Sequence, residues 1–135
     1  MIKSIYEFNT ELLNVQTGTP RLLERAEFNW LNSALLEEID ELHTARDAES
    51  ITESVDSLLD LAYFAIGGCV RMGLTAEQIE ECFQTVHNAN MEKKMGVKES
   101  RPQDGSIADA IKPSDWMAPE ELMERIIFRK EQEII

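Results

Sequence analysis

Glu37, Glu38, Asp40 and Glu41 fall in one short stretch of this chain, and Glu53, Asp56 and Asp60 in the next. Solvated like charges at helical spacing repel by roughly a few tenths of a kcal/mol. About 4 Å apart in a poorly solvated site the repulsion rises to about several kcal/mol, and a cation between the groups would offset it. Carboxylate oxygens are hard ligands that suit Mg²⁺ and Mn²⁺, whereas two His and two Cys offer little to iron or zinc. His43 and His87 read as surface or hydrogen-bonded residues, because only Asp40 and His43 approach a di-iron spacing and that pattern has no duplicate.

The spacing lets these groups converge. Glu38 and Glu41 are three residues apart, as are Glu53 and Asp56, so on helices each pair projects from one face. Asp60 extends the second stripe. Between the stripes, LHTARDAESIT ends one helix, turns at Asp47 to Glu49 and starts another, so the stripes would face each other across an antiparallel pair.

The elements follow from periodicity and caps. Ile5, Phe8, Leu12 and Val15 predict a short amphipathic helix ended by Gly18 and Pro20. Leu23, Ala26, Trp30, Ala34, Leu35, Ile39 and Leu42 predict a helix over about 22–46. Ser50 and Glu53 form a capping box for the next, which reads as a buried helix through Gly67 and Gly68 to Met72, the two glycines permitting close packing. Gly73 is its stop. Thr75 and Gln78 open a fourth helix, which buries Ile79, Cys82, Phe83, Val86 and Ala89 and ends at Gly96.

The expected fold is thus all-α: a four-helix bundle core over 1–97, then an extension over 98–135 made of a turn-rich loop and an amphipathic helix after Pro119. Within the extension Lys98, Arg101 and Lys112 could form a lid over an anionic ligand, although an ordinary surface excursion is the simpler reading. Trp116, Met117, Leu122, Met123, Ile126, Ile127 and Phe128 could dock on the core or on another subunit.

Composition sets limits. The 135 residues, 43% hydrophobic with six Gly and four Pro, suit one compact helical domain. A net charge of -13 argues against nucleic acid or an anionic membrane as a partner, so an anionic ligand should arrive with metal ions. No apolar run reaches the roughly 18 residues that span a bilayer. Cys69 and Cys82, without a C-x-x-C or a leading signal peptide, suggest a reduced, cytoplasmic protein.

LLEEIDEL, ESVDSLLDLAYFAIGG and FQTVHNANMEKKMG resemble the MazG-like all-α nucleoside triphosphate pyrophosphohydrolases over positions 5 to 96. The third stretch is more similar to their phage and phosphoribosyl-ATP pyrophosphohydrolase-like branch. The resemblance implies hydrolysis of a nucleoside triphosphate to monophosphate and pyrophosphate with Mg²⁺ or Mn²⁺, two or three ions per site, and assembly as a homodimer or a homotetramer built as a dimer of dimers. Glu37, Glu38 and Glu41 match the family's E-E-x-x-E motif in full. Glu53 and Asp56 match the spacing of its E-x-x-D motif, but the apolar stretch that follows the motif's Asp follows Asp60 here, and Ser57 then stands where a Glu is expected. Glu53 and Asp56 are favoured as ligands, with Asp60 supplementary or paired with a basic group. Glu37 or Glu38 is the candidate for orienting and deprotonating the attacking water.

Other positions carry the rest of that reading. Asn90 would share a helical face with Lys93 or Lys94, and an amide plus an ammonium could hold triphosphate oxygens. Phe8, Asn9, Trp30 and Asn32 are the base-binding candidates, since aromatics stack and amides pair with base edges. Each has a blander reading. Asp40 suits a solvated helix face, and Glu37 admits the same. Glu53 is equally the third residue of a capping box, Lys93 and Lys94 could merely complement a helix dipole, and Trp30 is more often core than platform. Asp56 and Asp60 stand beside Leu58, Leu59 and Leu61, which favours a functional role.

Phage members that resemble this chain include the MazZ type, which converts dGTP to dGMP, so the reading leans to a purine and to guanine. The alternatives are the same chemistry on phosphoribosyl-ATP, dCTP or dUTP, and a non-enzymatic helical module that binds a partner. If phage-encoded, the protein would act in the host cytoplasm.

Overall fold

The computed structural model describes residues 1–101 and 109–129. Helix α1 (Ile2–Glu7) runs into a π-helical turn (Phe8–Leu12), followed by α2 (Arg25–Asp47), α3 (Ile51–Arg71) and α4 (Ala76–Met91). Strands β1 (Lys94–Gly96) and β2 (Asp109–Ile111) and helix α5 (Glu120–Ile127) complete the described chain. The all-α class expected from the sequence is what forms. By its contacts the chain divides into Met1–Ile79 and Glu80–Ile135, inside α4 and upstream of the 97/98 boundary.

In the first unit α2 and α3 form an antiparallel pair. The reversal is built as the spacing implied: α2 ends at Asp47, Glu49 takes a left-handed conformation (φ 54°), and the Ser50 N–H donates to the Ala45 carbonyl at 2.9 Å. Ser50 then caps α3, its Oγ accepting the Glu53 N–H at 3.1 Å. At the far end Gly73 (φ 91°) stops α3, and a Cβ there would collide with the Thr19 carbonyl oxygen. That close approach lets Gly18 N–H donate to Gly73 O and Arg21 N–H to Met72 O, both at 2.8 Å, which pins the α1–α2 connection to the end of α3. The Thr75–Gln78 box is reciprocal, at 2.9 and 3.2 Å.

Small residues line the α2–α3 seam. Ala34, Ala45, Ser57, Gly67 and Gly68 are buried, while Leu36, Ile39, Val55, Leu58 and Leu59 are exposed. The expectation of α3 as a buried helix therefore holds only for its later turns, since two helices cannot cover both faces of each other. The first helix also departs from expectation. Ile2, Ile5 and Asn9, at offsets of three and seven, share the inner face, and Phe8 and Leu12 are left exposed; the π turn starts at Phe8.

In the second unit α4 stops at Met91, not Gly96. Glu92 and Lys93 N–H groups tighten the last turn onto Ala89 and Asn90 carbonyls, and residues 94–96 leave to pair antiparallel with 109–111, Lys94 opposite Ile111. Cys82 and Ala89 are buried but Phe83 is exposed, correcting its assignment to the inner face. Trp116 docks on α4 through its indole N–H, 2.6 Å from Ala89 O. Ile126 is buried, whereas Met117, Leu122 and Phe128 stay exposed, so the apolar tail docks only in part. Residues 102–108 and 130–135 of the extension lie outside the described residues. No single described helix is long and apolar enough to cross a membrane.

Candidate active site

Glu38 and Glu41 project from α2 toward Asp60 on α3, and one carboxylate oxygen from each lies within 4.8 Å of the others. Burial first, then the hydrogen bond and charge of Glu41 and the charges of Asp60 and Asp56, push the Glu38 carboxyl up to about 7. Burial, then the Asp56 and Glu41 charges, raise Asp60 as well. Glu38 Oε2 is sealed from solvent without a hydrogen-bond partner. A buried, orphaned carboxylate oxygen among like charges needs a proton or a cation. The three donors are all hard oxygens, so the site fits Mg²⁺ or Mn²⁺.

The other acids stand differently. Asp56 is exposed one turn before Asp60, and its charge acts on both Asp60 and Glu38. Glu53 is exposed in the first turn of α3 as the residue capped by Ser50, and Glu37 and Asp40 are exposed on α2. None of these four is among the three converging carboxylates. Asp60, the supplementary group of the sequence reading, is the α3 acid that meets Glu38 and Glu41.

Farther along the same helix pair is a cavity of about 240 Å³, lined by Phe8, Asn9, Leu13, Trp30, Tyr63, Phe64, Gly67 and Arg71. Phe8 meets Tyr63 edge-on at 5.3 Å and Trp30 meets Phe64 edge-on at 5.9 Å. Asn9 is buried with Nδ2 donating to Ile5 O at 2.8 Å, and a side chain at Gly67 would press on that amide. Three of the four base-binding candidates thus share one pocket; Asn32 is exposed and is not part of its lining. Trp30 precedes Glu38 by eight residues, about 12 Å of helix. Tyr63 and Phe64 escaped the sequence reading, and Gly67 was read only as a packing residue, although their offsets of three, four and seven from Asp60 put them on its face.

The helical face expected of Asn90 with Lys93 or Lys94 does not form, because α4 ends before both lysines. Asn90 is exposed near its end, Lys94 begins β1, and Lys93 lies in the turn between with its ammonium 5.2 Å from the Trp116 ring centre. Lys112 lies over the same ring at 4.7 Å, Arg101 pairs with Asp109 and the Lys98 charge acts on Asp109 too, so the cations of the expected lid are engaged within their own unit.

The chain is a MazG-like all-α pyrophosphohydrolase by its family match, and the converging carboxylates of its antiparallel helix pair are in keeping with that class. The chain belongs to the phosphoribosyl-ATP pyrophosphohydrolase family, which it matches over residues 5–90, and its activity is of the nucleotide pyrophosphohydrolase kind. Among curated proteins no match is found.

Proposed function

We propose that this protein hydrolyses a purine nucleoside or deoxynucleoside triphosphate, with guanine preferred, to the monophosphate and pyrophosphate. The observation that carries this reading is the cavity lined by Phe8, Asn9 and Trp30 on the same helix pair as Glu38, Glu41 and Asp60. At about 240 Å³ it is smaller than the roughly 300–1,000 Å³ of sites that enclose drug-sized ligands, so it suits a base and leaves sugar and phosphates outside. The family match favours phosphoribosyl-ATP as a second reading, but a base bearing a further ribose phosphate would not close into so small a cavity.

Glu38, Glu41 and Asp60 would hold Mg²⁺ or Mn²⁺, with Asp56, Glu53 and Glu37 available to further ions. A divalent ion bound there supplies charge neutralisation for the triphosphate and lowers the pKa of water. Glu37 and Glu38 are the residues proposed to orient a water and take its proton as it attacks the α-phosphorus. The bond from that phosphorus to the bridging oxygen then breaks and pyrophosphate leaves. Asn90, Lys93 and Lys94 remain candidates for phosphate contact.

Incubating the protein with each common NTP and dNTP plus Mg²⁺ or Mn²⁺ and resolving products by anion exchange tests this. The expected result is monophosphate and pyrophosphate, fastest from guanine nucleotides. Orthophosphate release would overturn it in favour of cleavage at the γ-phosphorus, and no turnover of any nucleotide would overturn it and favour the partner-binding module.

Assembly belongs to the same proposal. Leu36, Ile39, Val55, Leu58 and Leu59 expose enough apolar surface on α2 and α3 to pair with a second copy. Sedimentation equilibrium should return the mass of a dimer or tetramer; a 15.4 kDa species at all concentrations would contradict it.

A further inference from the structure

The α2–α3 cavity contains one cation whose bonding is incomplete. Arg71, in the last turn of α3, lies with its guanidinium carbon 4.6 Å from the centre of the Trp30 ring, and its Nε is buried without a hydrogen-bond partner. The nearest carboxylate is already committed. Glu27 accepts two hydrogen bonds from Arg21, at 2.7 and 2.9 Å, and the Glu24 N–H at 3.0 Å, leaving Arg71 at 4.0 Å. The Trp30 face therefore holds the Arg71 guanidinium in the pocket while its Nε lacks an acceptor, a costly state for a donor sealed from water.

We propose that Arg71 selects the base in this pocket by donating to the O6 and N7 acceptor edge of a 6-oxopurine. This rests on the reading of the cavity as a base site and deepens it by naming the residue that discriminates. A guanidinium offers only donors, in a planar fork. Guanine presents two adjacent acceptors to such a fork, whereas adenine places an N6 amino donor where guanine has O6, and thymine has a single carbonyl there beside a methyl group. The cavity walls are aromatic and apolar, which suits a flat base rather than a phosphate group. Asn9 completes the discrimination: the bond from Nδ2 to Ile5 O anchors its amide, and its amide oxygen is an acceptor that this wall offers to the N1–H and 2-amino donors of guanine. The π-helical turn that contains Asn9 belongs to the same recognition site, in keeping with the frequency of such turns at functional sites.

Titration calorimetry of the full chain with dGMP, dIMP, dAMP and dTMP in the presence of Mg²⁺ tests Arg71 without needing turnover. The wild type should bind dGMP and dIMP roughly ten- to a hundredfold more tightly than dAMP or dTMP, the discrimination of one bidentate pair. Arg71→Lys keeps the charge and the stem but lacks the fork, and should bring dGMP to within about threefold of dAMP by weakening dGMP and leaving dAMP unchanged. A residue acting only as a structural prop would lower all four affinities together, and that outcome overturns the proposal. So would wild-type affinities that are equal for the four bases, or an undiminished preference in Arg71→Lys. Selective binding of dGMP without pyrophosphate release would sink the hydrolysis reading and leave Arg71 standing; equal hydrolysis of all bases would sink Arg71 and leave hydrolysis standing.

Discussion

Glu38→Gln is expected to lower kcat/KM for the nucleotide substrate by about 10³-fold or more, while the metal-free variant is at least as stable as the wild type at pH 8. The first half follows from metal chemistry. A divalent ion contributes several kcal/mol of charge stabilisation to phosphoryl transfer, and each roughly 1.4 kcal/mol is a tenfold change in rate. An amide keeps the shape of the carboxylate but supplies no charge. The second half follows from the burial of Glu38 among Glu41, Asp60 and Asp56, with Oε2 lacking any partner. Ionised there without a counter-ion, Glu38 weakens the fold, so a neutral replacement removes a cost. Asp60→Asn should fall in the same class, whereas Glu53→Gln, exposed and outside the converging trio, should keep activity within about tenfold. Steady-state kinetics and chelator-treated melting curves for the three variants provide the check. A stable Glu38→Gln with near wild-type turnover, or one that melts well below wild type, would sink the assignment.

The helix pair that carries this site was legible because its signals are local. Ser50, Gly73 and the Thr75–Gln78 box act over three or four residues, and each forms where its sequence places it. The choice among Glu53, Asp56 and Asp60 was not local. In an antiparallel pair the residues that meet are those equidistant from the turn, and Glu38 lies eleven residues before Glu49 while Asp60 lies eleven after it. Glu53 is only four residues past the turn, too near it to reach Glu38. Counting outward from the turn would have ranked Asp60 first. The pocket was half legible: Phe8, Asn9 and Trp30 were chosen for chemical type, but Asn9, four residues after Ile5 and on its face, is polar and so adds nothing to the apolar pattern that marks an inner face. Arg71 was invisible, because its meaning depends on Arg21 having taken Glu27. The short β1–β2 pairing was equally hidden, since three residues are too few to display an alternation.

The second large effect concerns pH and metal together. In chelator, the protein should be most stable near pH 5, lose stability as pH rises toward 8, and recover it on addition of Mn²⁺ or Mg²⁺ at pH 8. Glu38 titrates near 4.5 when unfolded and at about 7 when folded, so between these values the folded state holds more protons and stability falls as pH rises. Its favourable contribution is complete below about 4.5 and gone above about 7, and the raised Asp60 works in the same direction. Glu27 works oppositely. The hydrogen bond from Arg21, then that from the Glu24 N–H, lower its carboxyl to about 2, so its contribution is present above 4.5 and lost as pH falls toward 2. The two trends leave a maximum between them. A divalent ion replaces the proton as the positive charge among Glu38, Glu41 and Asp60, so binding near pH 6 should expel about one proton, and saturation at about 100 times Kd should add about 2.7 kcal/mol of stability. Calorimetric melting across pH 5 to 8 with chelator or Mn²⁺, together with proton release measured in weak buffer, tests both parts. A melting temperature that is flat with pH in chelator would show that Glu38 is not held in the buried, crowded state from which the site is built, and a melting temperature indifferent to Mn²⁺ at pH 8 would mean that no ion replaces its proton.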